Sequence, residues 1–501
     1  MKEYKYGYRN LARIVIETQT PLAVGSGEND VNIGKVVARD ANGLPYIPGT
    51  AIAGVLSHAI GKTVAEAFFG YSKKEHDESK THGSEIIFSS AQIVDAEGKA
   101  VEGLVDIDGL NGKVEKEKEN KDFLKKFDIL PIRQHVCIGE KGVAIKRGKF
   151  DEEIAYKGTR FVFEVELLSE TDNADNFNKV LAALANDTLR IGGGTRKGFG
   201  KISIVELKTK SLNFSKSDDL KTYIDKTSSL NDSFWTSVLP QESKATTSPN
   251  WTVYELKLKP DNFFLFGSGH GDKEADMTQV YENYIQWNNN RPDWKEKVIL
   301  IPATSVKGAV SHRTTFYYNK IKGIFADDLS KDRNANLSAI EKVEAVKDLE
   351  NKKCDVAKLA LTKLFGSSKD NKDDHEGSRR GAVLVSDVFL EKTTEQTKLL
   401  NHVSIDRFTG GALDGALFSE KVIYGNGVEY TLSFQVDKSA FENGTDENAT
   451  DGDNIQKAFE NALRDISFGL LPLGGGVNRG HGCFLGKVFK DGTELTGLTR
   501  Q

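Results

Sequence analysis

The feature that most constrains this chain is an internal repetition. The segment that begins at Ile47, IPGTAIAGVLSH, returns at Ile301 as IPATSVKGAVSH, 254 positions later. The segment that begins at Gly192, GGGTRKGFG, returns at Gly474 as GGGVNRGHG, 282 positions later. The motifs keep their order while the segments between them differ in length. This pattern indicates two copies of one domain with diverged loops, and it argues against an array of short repeats.

Composition places the chain among globular proteins. Hydrophobic residues make up 38% and charged residues 28% of its 501 positions, and each copy is long enough for its own core. No apolar run approaches the ~20 residues of a membrane span, and the N-terminal residues lack the apolar centre of a signal peptide. We therefore expect a cytoplasmic protein that does not enter a membrane. Its three cysteines form no CxxC pair, so neither a zinc site nor a disulfide framework is predicted.

The distribution of charge is more informative than its sum. A net charge of −5 argues against non-specific binding of nucleic acid by the whole surface. The segment 189–204, however, contains four cations and no acid. Basic charge therefore lies on the repeated motifs, which indicates a local anion-binding surface on an acidic protein.

Hydrophobic periodicity predicts the order β-α-β-β-α-β in each copy, which is typical of ferredoxin-like or RRM-like domains. In copy one the predicted strands are 11–18, 85–94, 159–168 and 200–207, and the helices are 51–63, with Thr50 as N-cap, and 176–186. In copy two the strands are 253–259, 382–390, 427–436 and 483–489, and the helices are 304–319 and 454–466. The fold class is thus α+β, with two tandem domains at 1–207 and 251–501 joined by a linker at 208–250. Two charged insertions, 99–126 and 320–363, are interpreted as a hairpin or solvated helix and as an added helical segment.

The glycine-rich loops follow a helix and precede a strand. Dinucleotide and Walker loops have the opposite order, because there the helix N-terminus holds the phosphates. Glycines here still permit close approach of backbone N–H groups to a polyanion. A tight turn with ordinary surface cations is the alternative, but each copy keeps an arginine, Arg196 or Arg479, which favours phosphate contacts.

The repeated IP-x-T segment predicts a helix with a small residue, Gly54 or Gly308, one turn from its start. Such a residue suits close packing against a backbone or a ligand. Lys307 and Arg313 can face nucleic acid. For His58 and His312, a packed helix face is an equally good interpretation.

Copy two contains a further motif, HVSIDRFTGGA from His402 to Ala412, followed by GALF and Glu420. Together with the glycine-rich loops and the IP-x-T helices, it resembles the RAMP superfamily. More narrowly, the chain is similar to the backbone subunits of type III CRISPR–Cas effector complexes, here as a tandem fusion of two, as in subtype III-D. Copy one keeps only HVCI, from His135.

This resemblance implies a subunit that binds a guide RNA, with a β-hairpin thumb in each copy that interrupts the guide–target duplex. The partners it implies are the guide RNA, complementary target RNA, a large polymerase/cyclase-like subunit, a small subunit and other RAMP subunits. The candidate RNA-binding residues are Gly192, Gly193, Gly194, Arg196, Lys197, Lys201, Lys307, His312, Arg313, Arg407, Gly474, Gly475, Gly476, Arg479 and His481.

The resemblance also implies endoribonuclease activity, in which an aspartate on the loop after the first strand cleaves target RNA with a divalent metal, Mg²⁺ or Mn²⁺. In copy two Asp276 matches that position, and Asp272 is a weaker candidate. In copy one Asp30 is a looser match, because the matching position falls near Gly34. Asp276 and Asp30 are the candidate metal ligands. A carboxylate beside a flipped nucleotide can hold such a metal or orient the 2′-hydroxyl for attack on the adjacent phosphate.

Two other functions remain compatible with the sequence. The chain can be a structural subunit of the same complex that holds RNA without cutting it. It can also be a metal-independent endonuclease that processes precursor guide RNA, since that function in related proteins relies on histidines. The available histidines are His58, His135, His312 and His402.

Overall fold

A computed structural model describes residues 6–27, 34–72, 81–105, 115–138, 143–235, 249–323, 362–366, 379–391, 397–425, 429–443 and 451–496. The elements of copy one and the segment after it are β1 (Tyr8–Thr18), α1 (Gly49–Ala59), α2 (Lys62–Phe68), β2 (Tyr71–Ser72), β3 (Thr81–His82), β4 (Ile86–Phe88), β5 (Gln92–Ile93), α3 (Glu115–Lys125), β6 (Ile132–Ile138), β7 (Ala144–Glu153), β8 (Arg160–Ser169), α4 (Ala174–Leu184), β9 (Ile202–Asn213) and α5 (Ser217–Ile224). The elements of copy two are β10 (Trp251–Pro260), β11 (Phe263–Phe264), β12 (Met277–Thr278), β13 (Tyr281–Asn288), β14 (Arg291–Ile301), α6 (Ala303–Ile321), β15 (Val383–Val385), β16 (Val388–Leu390), β17 (Thr397–Ile405), β18 (Ala412–Tyr424), β19 (Tyr430–Asp437), α7 (Gly452–Ser467), β20 (Phe484–Lys490) and β21 (Thr493–Glu494).

Each copy contains an antiparallel sheet with the strand order of a ferredoxin-like domain. In copy one the order is β4-β8-β1-β9, with β5 also paired to β8, and in copy two it is β15-β19-β10-β20-β21. In the central strand of copy one, Ile14 lies opposite Phe163 on one side and Leu207 on the other. The α+β fold class predicted from the sequence is confirmed.

The core of each copy lies between this sheet and its helices. Alternate side chains of β1, such as Ile14 and Ile16, are fully buried on one face of the sheet. Helices α1 and α4 cover that face through Leu56 and Leu181. In copy two, β10 packs in the same way against α6 and α7.

Helix α1 begins two residues earlier than predicted and ends at Ala59. Pro48 precedes the helix in an extended conformation, and Gly49 is its first residue, so Thr50 lies inside the first turn and is not the N-cap. A Cβ atom on Gly49 would lie 2.4 Å from the carbonyl oxygen of Phe88. The start of α1 is therefore fixed by close contact with strand β4, which the sequence pattern does not show.

A long hairpin projects from each copy between the second and third strands of its sheet. In copy one it consists of β6 and β7, and in copy two of β17 and β18. We call these the thumb hairpins. The motif IDRFTGGA, from Ile405 to Ala412, forms the tip of the copy-two thumb hairpin, where the side chain of Phe408 is 97% exposed.

A second hairpin, β13–β14, was not predicted and joins the two copies. Gly267 and Ile301 lie 34 positions apart in copy two, whereas Gly25 and Ile47 lie 22 apart in copy one, and the longer segment forms this hairpin. It reaches over copy one, where Trp287 Nε1 donates to the carbonyl oxygen of Gly158 at 2.7 Å. The two copies therefore pack directly against one another.

A buried ion-pair network lies at the same junction. Arg133 of β6 contacts Glu282 of β13 at 2.7 Å and Asp387 at 2.9 Å, and all three side chains are at most 6% exposed. Burial alone would lower the pKa of Arg133, but the two carboxylates raise it, so the guanidinium stays charged. Removal of this cation would leave two carboxylates buried without it.

The segment predicted as a linker is partly structured. Strand β9 continues past residue 207 to Asn213, and α5 follows it. Leu212, Phe214 and Trp235 are buried against the first strand of copy one. The apolar residues in this segment hold it on copy one, although its composition is polar.

The structure tests the predictions for the first charged insertion, 99–126, but describes only the ends of the second. In the first, α3 is a helix, but Phe123 and Leu124 at its end are buried, and Phe123 packs on Trp287 and Trp294 of the β13–β14 hairpin. It is thus a junction element as well as a solvated helix. The second insertion, 320–363, lies outside the described residues except at its ends. No helix in the described part of the chain is long and apolar enough to cross a membrane.

Candidate functional site

The IP-x-T helices α1 and α6 present the same small exposed surface in both copies. Gly54 and His58 are exposed on α1, and Gly308 and His312 are exposed on α6. A Cβ atom on either glycine would meet nothing within 4 Å. These glycines are thus not required by packing inside the protein, although each costs a helix interior about 1 kcal/mol relative to alanine. The two surfaces are open for contact with another molecule.

Both glycine-rich loops are held by the protein's own backbone. The N–H of Gly193 donates to the carbonyl of Ala23, and that of Gly475 donates to the carbonyl of Leu265, each at 2.6 Å. Glycine is required before these residues because a Cβ on Gly192 would lie 2.6 Å from the carbonyl oxygen of Ala23. These two N–H groups are therefore engaged inside the protein, and RNA contact by other parts of the loops stays a prediction.

The copy-one loop is also covered by copy two. Arg196 Nε donates to the carbonyl of Gly381 at 2.5 Å. A Cβ on Gly198 would lie 2.6 Å from that of Ala303, at the start of α6. The equivalent Gly480 of copy two is exposed, and a Cβ atom at that position would meet nothing within 4 Å. The glycine-rich loop of copy one therefore forms part of the interface between the copies, whereas that of copy two is exposed at Gly480.

The base of the copy-one thumb hairpin contains a buried carboxylate. Glu152 is 2% exposed; its oxygens lie 2.9 Å from His135 Nε2 and 3.1 Å from Lys197 Nζ. Phe150 stacks on His135 with 4.9 Å between ring centroids. Burial alone would raise the pKa of Glu152, but the neighbouring His135 and the charge of Lys197 lower it to about 2. We call Glu152, His135 and Lys197 the copy-one thumb cluster.

Copy two repeats this cluster with one more member. Glu420 is fully buried; His402 Nε2 and His481 Nε2 each lie 2.8 Å from its Oε1, and Arg479 Nη2 donates to Oε2 at 2.6 Å. Phe418 stacks on His402 with the same 4.9 Å separation. Burial opposes ionisation, but the three donors lower the pKa of Glu420. This copy-two thumb cluster joins the thumb hairpin to the open glycine-rich loop.

Asp276 lies beside this cluster, on the loop after β10. Its Oδ2 accepts hydrogen bonds from the N–H of Ser419 at 2.7 Å and from Ser419 Oγ at 3.0 Å, and Ser419 directly precedes Glu420. Strand β12, which begins at Met277, pairs in parallel with β18. The backbone and hydroxyl donors of Ser419 lower the pKa of Asp276, so this exposed carboxylate is ionised at neutral pH.

Asp272 has a different role on the same loop. Its Oδ1 accepts from the backbone N–H groups of Glu274 and Ala275, at 2.8 and 2.9 Å, which lowers its pKa. Lys421 also lies 3.6 Å from Asp272. The side chain of Asp272 therefore shapes the turn that leads to Asp276.

In copy one the equivalent position is occupied by Gly34. A Cβ on Gly34 would lie 3.1 Å from the carbonyl oxygen of Asp151. Asp151 precedes Glu152 as Ser419 precedes Glu420, so Gly34 and Asp151 stand where copy two has Asp276 and Ser419. The candidate Asp30 lies outside the described residues.

The remaining candidate RNA-binding cations are mostly engaged within the protein. Lys201 pairs with Asp187 at 2.6 Å, and Arg313 pairs with Asp465 at 2.6 Å. Lys307 Nζ donates to a backbone carbonyl at 3.2 Å, and burial, with the charges of two neighbouring cations, lowers its pKa to about 8. By contrast, the side chain of Arg407 is exposed at the tip of the copy-two thumb hairpin.

The described residues offer no preformed metal cage: no three His, Cys, Asp or Glu side chains there are grouped to hold a metal ion. Mg²⁺ is commonly bound by one or two carboxylates together with waters and substrate phosphates. Asp276 fits such a site as a single protein ligand, because Ser419 occupies only its Oδ2. Among the residues described, the donor set is therefore compatible with a metal that arrives with RNA.

Sequence reasoning missed both thumb clusters. Lys197 and Glu152 are 45 positions apart, and Arg479 and Glu420 are 59 apart, so no local motif joins them. A signal was nevertheless present: His135 is followed by Phe150-x-Glu152 as His402 is followed by Phe418-x-Glu420. In each hairpin the histidine lies directly opposite that phenylalanine.

Comparison with known proteins gives one result. A family model described as the RAMP superfamily matches residues 15–203 and 261–484. A comparison with curated protein sequences finds no significant match. The two matched segments lie one in each copy and together cover well over half of the chain.

Proposed function

This chain belongs to the RAMP superfamily, which supports an RNA-binding role in a type III CRISPR complex, and we propose that it binds guide RNA along both copies and cleaves complementary RNA from copy two. The guide and target RNAs are its substrates and partners in this proposal. The other subunits of the complex are those implied by the family. The subtype is proposed to be III-D or a related fused system.

The exposed surfaces of α1 and α6 support the RNA-binding part of the proposal. A bare helix backbone at Gly54 and Gly308 allows a phosphate or sugar to approach more closely than a side chain would permit. His58 and His312, one turn further, add donors on the same side. The surface recurs in both copies, as expected if one RNA strand passes over each in turn.

The observation that carries the cleavage part is the carboxylate of Asp276. It is exposed, ionised and held by Ser419 at the base of the thumb hairpin, whose tip exposes Phe408. An exposed aromatic ring can stack on a base or separate two bases. In this proposal a nucleotide displaced along the thumb hairpin is presented to this fixed carboxylate at the base of the hairpin.

In this proposal Asp276 orients the 2′-hydroxyl of the displaced nucleotide by accepting its hydrogen bond. Ser419 holds Oδ2, which leaves Oδ1 for this contact. Arg479 and the two histidines of the copy-two thumb cluster keep Glu420 ionised and fix the strand that carries Ser419. A bound Mg²⁺ or Mn²⁺ would supply neutralisation of the charge that develops on the phosphate.

The test uses the assembled complex with a labelled complementary RNA. Asp276→Asn should slow cleavage by about 100-fold or more, as for loss of a group that contacts the reacting atoms, while target binding is unchanged. Asp272→Asn is the matched control on the same loop and should retain cleavage to within about tenfold. Unchanged fragments with Asp276→Asn would refute the assignment of Asp276.

Two further arms separate the alternatives. If the wild-type complex binds target and produces no fragments with Mg²⁺ or Mn²⁺, the chain is a structural subunit. If the isolated chain cuts precursor guide RNA in EDTA, the processing function is supported instead. His135 and His402 are each held by a buried carboxylate, so they are poorly placed for that reaction.

A further inference from the structure

A cavity of about 420 Å³ lies at the junction of the two copies, away from Asp276. This volume falls within the ~300–1,000 Å³ of small-ligand pockets. Copy one contributes the end of α1, the segment before the glycine-rich loop and Arg196 of that loop, and copy two contributes residues before β15 and residues at the end of β19 and just after it. Neither copy would form the cavity alone.

The walls of this cavity are strongly basic. Its cations are Arg190, Arg196, Lys363, Arg379 and Arg380, and His58 lies at the same cavity. Among the described residues that line it, Asp437 is the single acid, and its carboxylate already accepts from the N–H of Ser439. Cations therefore outnumber acids in this lining, which favours an anionic ligand.

Arg196 shows this imbalance most directly. Its Nε is satisfied by Gly381, but its Nη1 is buried and has no hydrogen-bond partner among the described residues. Burial, with the charges of Arg380 and Arg190, lowers the pKa of Arg196 to about 9. A buried guanidinium N–H without an acceptor is costly, and an anion would satisfy it.

The cavity adjoins the surface of α1 over which RNA is proposed to pass, because His58 belongs to both. His58 belongs to the exposed surface of α1, and its Nδ1 lies 2.7 Å from the carbonyl oxygen of Gly54. A strand that crosses Gly54 and His58 reaches the cavity at its next step toward copy two. Arg190 already donates to the carbonyls of Asp187 and Leu189 and to Gln435 Oε1, so it contributes charge to the cavity. The unsatisfied Nη1 of Arg196 is the donor that a phosphate oxygen of the RNA would meet.

We infer that the cavity lined by Arg190, Arg196, Arg379 and Arg380 binds one phosphate group of the guide RNA where the strand passes from copy one to copy two. The inference rests on the proposed RNA-binding function. It adds a site that requires both copies, so fusion of the copies fixes the spacing of the RNA across their junction.

The experiment measures binding of the full chain to guide RNAs in which one phosphate at a time is a neutral methylphosphonate. At one position this change should weaken wild-type binding about tenfold or more, as for loss of charged hydrogen bonds. In the variant Arg379→Glu/Arg380→Glu, the same change should weaken binding much less than in the wild type, because two of the cations that attract this phosphate are already replaced. Both arginines are exposed, and the melting temperature of the variant is measured beside that of the wild type to show that the variant folds.

Lys99→Glu/Lys487→Glu is the matched control, since it changes net charge equally at exposed lysines outside the cavity. It should preserve the position-specific penalty. If the wild type binds guide RNA but no position is coupled to Arg379 and Arg380, the inference is wrong and the proposed function stands. If the wild type does not bind guide RNA, the proposed function itself fails.

A last arm distinguishes RNA from free phosphate. Inorganic phosphate at millimolar concentration is added to the wild type and to the cavity variant, and melting temperatures are compared. Stabilisation of the wild type alone, together with no coupled position in the RNA series, would show a site for free phosphate and overturn the assignment to RNA.

Discussion

Replacing Glu152 by glutamine should destabilise copy one by about 3 kcal/mol at pH 7. The pKa of Glu152 falls from its usual 4.5 to about 2 in the folded chain, because His135 and Lys197 outweigh the effect of burial. A difference of ~2.5 pKa units corresponds to about 3 kcal/mol at ~1.36 kcal/mol per unit. Glutamine keeps the shape of the side chain but removes this charge-dependent stabilisation.

The stabilisation that Glu152 provides should also depend on pH in a defined direction. A carboxylate with a lowered folded-state pKa stabilises the protein above 4.5, and this contribution is lost as the pH falls toward 2. The difference in unfolding free energy between wild type and Glu152→Gln should therefore be clearly smaller at pH 3 than at pH 7. Urea denaturation of the full chain, followed by tryptophan fluorescence, measures it at each pH.

Glu66→Gln is the control, because Glu66 forms an exposed pair with Lys62 and its loss should change stability by less than about 0.5 kcal/mol. The reasoning would be refuted if Glu152→Gln cost less than about 1 kcal/mol at pH 7. It would also be refuted if the cost were the same at pH 7 and pH 3, since charge would then not be the cause.

Three further changes test the junction, the helix surface and the thumb. Arg133→Met leaves Glu282 and Asp387 buried without their cation, and it should cost about 3–5 kcal/mol in urea denaturation, whereas an effect below about 1 kcal/mol would mean that the junction reorganises freely. Gly308→Ala should raise stability by about 0.5–1 kcal/mol, because its Cβ meets open space, yet weaken guide-RNA binding in a filter assay; equal or tighter binding contradicts an RNA surface on α6. Phe408→Ala should leave stability within about 0.5 kcal/mol, since the ring is 97% exposed, but reduce the rate of target cleavage; an unchanged rate contradicts a role for the thumb tip.

The fold could be predicted from the sequence because its signals are local and occur twice. Alternation in β1 and helical spacing in α4 each depend on a few neighbouring residues, and the order of motifs fixed the duplication. The β13–β14 hairpin was missed because Ile285, Trp287 and Trp294 pack on copy one and not on their own domain. Trp287 and Trp294 have no periodic pattern that indicates this contact.

The candidate site was predictable only in part, and the reason is again distance along the chain. Asp276 was selected because the family resemblance implies a catalytic aspartate on the loop after the first strand. Its partner Ser419 is 143 positions away, and the Glu420 cluster joins three separate segments. Such contacts depend on the packing of the thumb hairpin against the glycine-rich loop, which no single spacing reveals.

The two copies share a scaffold but use it differently. The glycine-rich loop of copy one packs at Gly198 against α6 of copy two. The equivalent surface of copy two, at Gly480, is open. At the base of the thumb hairpins, copy two has Asp276 beside Ser419, whereas copy one has Gly34 beside Asp151. The carboxylate of Asp151 in copy one therefore lies on strand β7 of the thumb hairpin, whereas Asp276 in copy two lies on a loop. If a carboxylate at the position of Asp276 is what cleaves RNA, copy one, with Gly34 there, keeps the thumb cluster for structure alone, and cleavage products should report one cut per chain.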